Sequence, residues 1–297
     1  MHKHRILRYA APVVIALALY GVYRFTVDDI MRHPRDYDEI AADSTLHAVA
    51  EQNALGFHQE GDSLSGFYYE LISTFAADHG LKLDIVPEMN MEKRLDGLRH
   101  GHYDIVADGV AVTADGDDES PILFSTPIVM SHLVLVQRKE EAAAATDSIR
   151  SDSTTFVRSL VNLAGKTLHV AKGSQAVMRI EHLAEEIGDT IYIYEDGTHS
   201  SEQLIAMVAS GDIDYTVCER RIAELAADSL NQIDIYTPVS FNQFYSWAVS
   251  RKSPVLLDSI NAWLDRYQQT EAYRQLYRRY YLKVGSKNSR RNKLTSQ

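Results

Sequence analysis

Few residues of this 297-residue chain have types and spacings that could do chemistry, and most lack a partner. Gly165-Lys166-Thr167 has the ending of a phosphate-cradling loop. Such a loop needs a glycine five places earlier to bring its backbone N–H groups to the phosphates, and Leu160 stands there. Asp115, Asp117, Asp118 and Glu119 bunch the oxygen ligands a calcium ion takes. The run lacks the glycine and the distant glutamate of an EF-hand loop and reads as a solvated acidic turn. His100 and His102 flank Gly101 with no third ligand for zinc. Cys218 is the sole cysteine, which excludes an internal disulfide and a two-cysteine zinc site. Ser174 follows Gly173 at a helix start. Its hydroxyl and the free N–H groups there could hold an anionic or polar group, and it serves equally as a helix N-cap. No Ser-His-Asp or Cys-His arrangement is placed convincingly. No enzyme activity, cofactor or metal is expected.

Charge narrows the partners. The formal net charge is -11, but Lys3, Arg5, Arg8 and Arg24 at the start and Lys283, Lys287, Arg290, Arg291 and Lys293 at the end meet no acid nearby. Without those nine, 21 basic residues face 41 acidic ones, so the body stands near -20. Phosphates would be repelled, which excludes nucleic acid. A cationic ligand or plain solubility fits equally.

The elements that must position any site alternate between strand and helix. Leu46 to Ala50 reads as a first strand. Gly66 opens a helix with Leu71, Ile72, Phe75 and Ala76 on one face, and Gly80 ends it. Leu81–Val86 and Tyr103–Val112 read as further strands, with a helix over Glu92–Leu98 between them. This β-α-β-α-β order predicts a parallel sheet with crossover helices. Leu133–Gln137 continues as a strand, and residues 139–155 read as a surface insertion. Thr167–Ala171, Ile191–Tyr194 and Ile213–Val217 alternate with helices to form a second α/β lobe. Residues 255–281 keep helical spacing.

At the N-terminus, Tyr9 to Phe25 is a 17-residue stretch with no charge before Arg24. That length is short for a bilayer span but sufficient, and the preceding basic residues keep the start cytoplasmic. An uncleaved anchor is expected, with cleavage near Ala16-Leu17-Ala18 as the alternative. The expected organisation is a cytoplasmic start and transmembrane helix over 1–25, a polar spacer over 26–44, lobe 1 over 45–128 plus 241–283, lobe 2 over 129–240, and a disordered basic tail over 284–297.

Gly66-Phe67-x-x-Glu70-Leu71, Asp104 to Thr113, Phe124-Ser125-x-Pro127, Gly165-Lys166 to Gly173-Ser174, Gly211-x-x-Asp214-Tyr215-Thr216-Val217 and Tyr273-x-x-Leu276-Tyr277-x-x-Tyr280-Tyr281 follow one another in an order that resembles the extracytoplasmic solute-binding proteins of family 3. The resemblance implies an α/β, two-lobed, periplasmic-binding-protein-like (type II) fold, with ligand held between lobes that are joined by two crossing strands. The crossings are expected near Ile128–Met130 and Pro238–Phe241. The Ser201–Val217 segment, with the anchor, is similar to the N-terminal binding-protein-like domain of membrane-bound lytic murein transglycosylase F. This chain ends where that enzyme's catalytic domain would begin.

What the resemblance implies for the site is an incomplete ligand clamp. The basic residue that usually holds a ligand carboxylate is replaced by Gly116. Glu51 and Asn53 match positions that contact ligand, and Met91 matches a cleft wall. Asp108 and Gly109 stand where small or hydroxyl residues face a carboxylate. Glu219 matches the acid that pairs with a ligand ammonium, and Ser174 offers a polar group to the ligand. A cleft with Glu51, Asp108 and Glu219 and no matching arginine implies a cationic or neutral ligand. A muropeptide recognised by its amine is one such ligand. The expected protein is single-pass in the inner membrane with its body in the periplasm. It is expected to bind a small molecule and to serve a permease or a peptidoglycan enzyme. The alternative is a scaffold that binds only a protein partner, such as a separate lytic transglycosylase.

Overall fold

The computed structural model describes residues 32–61, 63–112, 120–139 and 156–282. The expected membrane segment, Gly116 with its acidic turn, nearly all of the 139–155 insertion and the basic tail lie outside these residues. Among the described residues, no helix is long and apolar enough to cross a membrane.

Two sheets form two lobes. In lobe 1 the strand order is β4 (Lys82–Pro87), β1 (Thr45–Ala50), β5 (Ile105–Ala111), β13 (Gln243–Ser250), β6 (Ile122–Phe124), and β7 (Val129–Ser131) also pairs with β13. β1 runs parallel to β4 and β5, whereas β13 is antiparallel to β5. In lobe 2 the order is β10 (Tyr192–Asp196), β9 (Thr167–Ala171), β11 (Tyr215–Glu219), β8 (Leu133–Arg138), β12 (Ile233–Pro238). A small hairpin, β2 (His58–Glu60) and β3 (Ser63–Ser65), stands beside lobe 1. The chain crosses between lobes twice. It passes from β7 to β8 at His132, beyond the position expected from sequence, and returns between β12 and β13.

The helices follow their caps and apolar faces. α2 (Phe67–Asp78) buries Phe67, Tyr68, Leu71, Ile72, Phe75 and Ala76 against the lobe 1 sheet. It starts at Gly66, whose φ of 133° and a Cβ position 2.5 Å from the Gly56 carbonyl oxygen leave no room for a side chain. α3 (Met91–His100) starts on Asn90, whose side chain accepts from the N–H groups of Glu92 and Lys93. In lobe 2, α4 (Gln175–Ile187), α5 (Ser201–Ser210) and α6 (Arg220–Ala227) cover the sheet. α5 carries a full capping box between Ser200 and Gln203.

The helical region expected over 255–281 is built as α7 (Pro254–Tyr267), α8 (Glu271–Tyr277) and a π turn over Arg278–Leu282. The break falls where Thr270 caps α8 by accepting from Tyr273 N–H. The spacer expected over 26–44 is also corrected, because from Arg35 onward the chain is part of lobe 1. Arg35 pairs with Asp104 at 2.5 Å, Asp36 accepts from Leu256 N–H at the start of α7, and Ile40 of α1 (Tyr37–Asp43) is fully buried. A polar composition concealed these long-range partners.

The lobe 1 core centres on Trp247, Phe75 and Trp263, with Tyr267 stacked on Trp263 at 4.5 Å. The π turn lies across the lobes. The Tyr280 hydroxyl accepts from Gly66 N–H at 3.0 Å and donates to Glu70 at 2.6 Å, both in lobe 1, while Arg221 of α6 in lobe 2 donates to the Tyr280 carbonyl oxygen. The Arg221 guanidinium also lies over the Tyr281 ring at 5.8 Å.

Candidate functional site

Between the lobes lies a cavity of about 80 Å³. Lobe 1 lines it with the loop after β1, the start of α3, the middle of β5 and one side of β13. Lobe 2 lines it with the β9–α4 and β11–α6 turns. Parallel strands deliver their C-terminal ends and the following helix starts to one place, which is why residues distant in the chain meet here.

The structure brings all seven sequence-expected residues to this cavity: Glu51, Asn53, Met91, Asp108, Gly109, Ser174 and Glu219. Their local duties differ. The Asn53 side chain is buried and accepts from the N–H groups of Leu55 (2.9 Å) and Gly56 (2.7 Å), so it shapes its own turn. Met91 opens α3, and its N–H donates to the Lys172 carbonyl oxygen of lobe 2 at 3.3 Å. Gly109 stands where an added Cβ would lie 2.4 Å from the Tyr68 hydroxyl. Ser174 is the N-cap residue of α4 but makes no capping hydrogen bond, and its buried Oγ has no partner among the described residues.

The expectation of a cleft without a base is corrected by Arg94. This residue of α3 is 1% exposed. Its Nε lies 3.3 Å from Asp108 Oδ2 and its Nη2 lies 3.7 Å from Glu51 Oε2, while Nη1 donates to the Glu88 carbonyl oxygen. Asp108 Oδ2 also accepts from Glu51 N–H at 3.0 Å, and Asp108 Oδ1 has no hydrogen-bond partner among the described residues. Burial raises the Asp108 pKa above the usual aspartate value, against the lowering influence of Arg94. Two acids thus share one guanidinium, and the group carries one net negative charge when both are ionised.

Glu219 ends β11 and caps α6. Its Oε1 accepts from Ser131 Oγ at 2.5 Å and from Arg221 N–H at 3.2 Å, which ties it to the strand crossing. Burial drives its pKa from the ordinary 4.5 to about 7. The Gln175 side chain, at the start of α4, donates through Nε2 to the Tyr245 hydroxyl of lobe 1 at 2.5 Å, and Gln175 Oε1 is buried without a partner among the described residues. Tyr68, Tyr245, Arg94 and Gln175 were not expected from sequence. Arg94 shares a helix face with Met91, Leu95 and Leu98, a spacing that marks burial.

The lobes touch directly. Ser201 N–H donates to Glu51 Oε1 at 3.0 Å, and Ala54 N–H donates to Glu202 Oε1 at 3.3 Å. At Gly173, lobe 2 comes so near α3 that an added Cβ would lie 2.9 Å from Glu92 N. The arrangement is a closed two-lobed clamp around a small cavity whose wall sets a few charged groups among apolar side chains. Among the described residues, no group of acids, histidines or cysteines could hold a metal.

Comparison with known proteins agrees with this architecture. Membrane-bound lytic murein transglycosylase F of Desulfosudis oleivorans is 26% identical over 270 residues, covering 91% of this chain and 55% of that protein. The Pseudomonas fluorescens protein of the same name is 23% identical, covering 90% of this chain and 51% of that one. The chain therefore spans about half the length of the curated relatives it matches. Among solved structures, the solute receptor for L-cysteine of Neisseria gonorrhoeae superposes with a TM-score of 0.71 at 14% identity, covering 86% of this chain and 96% of that one. An ancestral arginine-binding protein bound to arginine gives 0.67 at 22% identity, covering 80% and 98%. These likenesses establish the fold, a two-lobed α/β periplasmic-binding-protein-like architecture. The sequence profile of the family spans residues 46–283, and the chain belongs to the bacterial extracellular solute-binding proteins, family 3.

Proposed function

We propose that this protein binds a small amine-bearing ligand between its lobes, as a receptor anchored to the inner membrane with its body in the periplasm. The observation that carries this reading is the charge of the enclosed cleft. Glu51 and Asp108 share the single guanidinium of Arg94, and a third acid, Glu219, lines the same cavity; the other basic residue at its edge, Lys172, is exposed and packs beside Gly197. A cation entering such a site completes its charge balance, whereas an anion meets poorly screened repulsion. Closure follows because a ligand touching both lobes favours the closed state by its extra contacts.

The relatives' name supports a place in peptidoglycan turnover, with a muropeptide amine as ligand; the solved neighbours support delivery of a solute to a permease. A second reading, a scaffold that binds a protein and no small ligand, is favoured by one observation. The lobes already make direct hydrogen bonds through Glu51 and Glu202.

The test is a thermal-shift series on the full chain in mild detergent with L-lysine, L-arginine, cadaverine, a muropeptide carrying a free amine, and N-acetylated counterparts. A ligand at a hundred times its Kd stabilises the folded state by about 2.7 kcal/mol. Stabilisation by the amines and not by their acetylated forms is the expected result. No stabilisation by any of them would transfer the assignment to the protein-binding scaffold. Alkaline washing of membranes distinguishes a retained anchor, which stays with the lipid, from a cleaved leader.

A further inference from the structure

Among the described residues, two buried carbonyl or carboxylate oxygens of the cavity lining lack donors, and they belong to different lobes; the Ser174 hydroxyl next to one of them is likewise unpartnered. One is Asp108 Oδ1, on a residue only 5% exposed. The other is Gln175 Oε1. A buried polar atom left without a partner costs about 1–3 kcal/mol, and a native fold tolerates it where something else supplies the bond. Both atoms belong to residues that line the same cavity.

The two positions are linked through Tyr245. Gln175 is held by the Tyr245 hydroxyl, and Tyr245 Cδ1 lies 3.2 Å from the Cβ position of Gly109, the residue after Asp108. Because Nε2 of Gln175 is spent on that hydroxyl, its carbonyl oxygen is the amide atom left over. Gly109 keeps this corner open, since any side chain there would collide with the Tyr68 hydroxyl.

We propose that Asp108, rather than Glu219, receives the amine of the bound ligand, with the Gln175 carbonyl oxygen closing on the same amine from lobe 2. The assignment rests on the reading of the cleft as an amine site. A neutral hydroxyl could supply a hydrogen bond to Asp108 Oδ1 but would leave the Glu51–Arg94–Asp108 group with its unbalanced negative charge. An ammonium group supplies both the charge and three donors, enough for Asp108 Oδ1, Gln175 Oε1 and one further acceptor. Glu219 is the poorer partner because Ser131 Oγ and Arg221 N–H hold its carboxylate at the strand crossing and the α6 cap, whereas Asp108 keeps a buried oxygen with no donor among the described residues. Burial raises the pKa of both acids, so the choice between them rests on these contacts. The amine's position on lobe 1 makes Gln175 the group that converts binding into closure.

Calorimetric titration of the full chain in mild detergent with cadaverine and with L-lysine tests this. Asp108→Asn keeps a hydrogen-bonding side chain and removes the charge. It is expected to weaken amine binding about 10- to 100-fold, and by more than Glu219→Gln does. A larger loss in Glu219→Gln than in Asp108→Asn would overturn the assignment while leaving an amine-binding cleft in place. Failure of the unaltered protein to bind either amine would overturn both. If Asp108→Asn does not fold, as judged by its melting curve, Gln175→Glu decides. A carboxylate at the second acceptor is expected to tighten cadaverine binding several-fold, and unchanged or weaker binding would overturn the proposal.

Discussion

Glu51 and Ser201 stand 150 residues apart in the chain, yet Glu51 Oε1 accepts the backbone N–H of Ser201 at 3.0 Å. Ser201 is the first residue of α5, so its N–H is one of the donors that a helix cannot satisfy internally, at the positive end of the helix dipole. Glu202, the next residue, returns the contact by accepting from Ala54 N–H beside Glu51. Each lobe thus places a carboxylate on a backbone donor of the other.

This exchange predicts that closure without ligand depends on Glu202. Each charge-assisted bond is worth on the order of 1.5 kcal/mol, roughly tenfold in the closed-to-open ratio. Glu202→Ala should enlarge the ligand-free radius of gyration in small-angle scattering, and saturating ligand should restore the compact form. An unchanged scattering profile would show that other contacts hold the lobes together.

Glu219 predicts how stability varies with pH. Its folded-state pKa of about 7 lies above the ordinary 4.5, so the folded protein binds a proton that the unfolded chain has released. Stability from this source is complete below the unfolded value and is lost as pH rises through about 7, on the order of 3 kcal/mol in all. Glu219→Gln should therefore gain on the unaltered protein in melting temperature between about pH 5 and about pH 8. A decline of the same sign remains from Asp108, whose pKa is also raised by burial. Parallel melting curves at all pH values would rule this out.

Arg94 predicts a large and pH-dependent loss. Replacing it by Met leaves Glu51 and Asp108 together without their shared cation, at a cost of about 3–5 kcal/mol. Without the guanidinium, the burial of Asp108 raises its pKa further, so the variant should lose more stability at high pH than at low pH. Denaturant unfolding of Arg94→Met at two pH values measures both effects.

Arg221 predicts that the π turn stabilises the junction of the lobes. It is 3% exposed and binds the Tyr280 carbonyl oxygen while lying over the Tyr281 ring. Arg221→Met keeps much of the packing and removes the bond, and should cost about 2 kcal/mol in denaturant unfolding. Limited proteolysis should cut the variant earlier near residues 278–282.

The sequence exposed the parts of this site that depend on local order. Glu51, Asp108 and Glu219 are placed by the resemblance to family 3, whose motifs keep their order along the chain, and Ser174 also by its position after Gly173 at a helix start. Arg94 was hidden by composition. α3 reads as a polar surface helix, and only the shared face with Met91, Leu95 and Leu98 signals that its arginine points inward. Gln175 adjoins the expected Ser174, but its tie to Tyr245 joins two lobes and leaves no local mark. Arg35 and Asp36 were lost in the same way, since a polar stretch looks like a spacer until its partners at Asp104 and Leu256 are known.

Gly173 sets how far the lobes can travel. A single methyl group at its Cβ position would strike the backbone of Glu92 before the Met91 N–H came within reach of the Lys172 carbonyl oxygen. The approach of lobe 2 to α3 therefore depends on the missing side chain at Gly173, because the atoms it would meet are the N, Cβ and Cα of Glu92. Those atoms cannot swing aside as the tip of a long side chain can, so any substitution at Gly173 would hold lobe 2 away from α3.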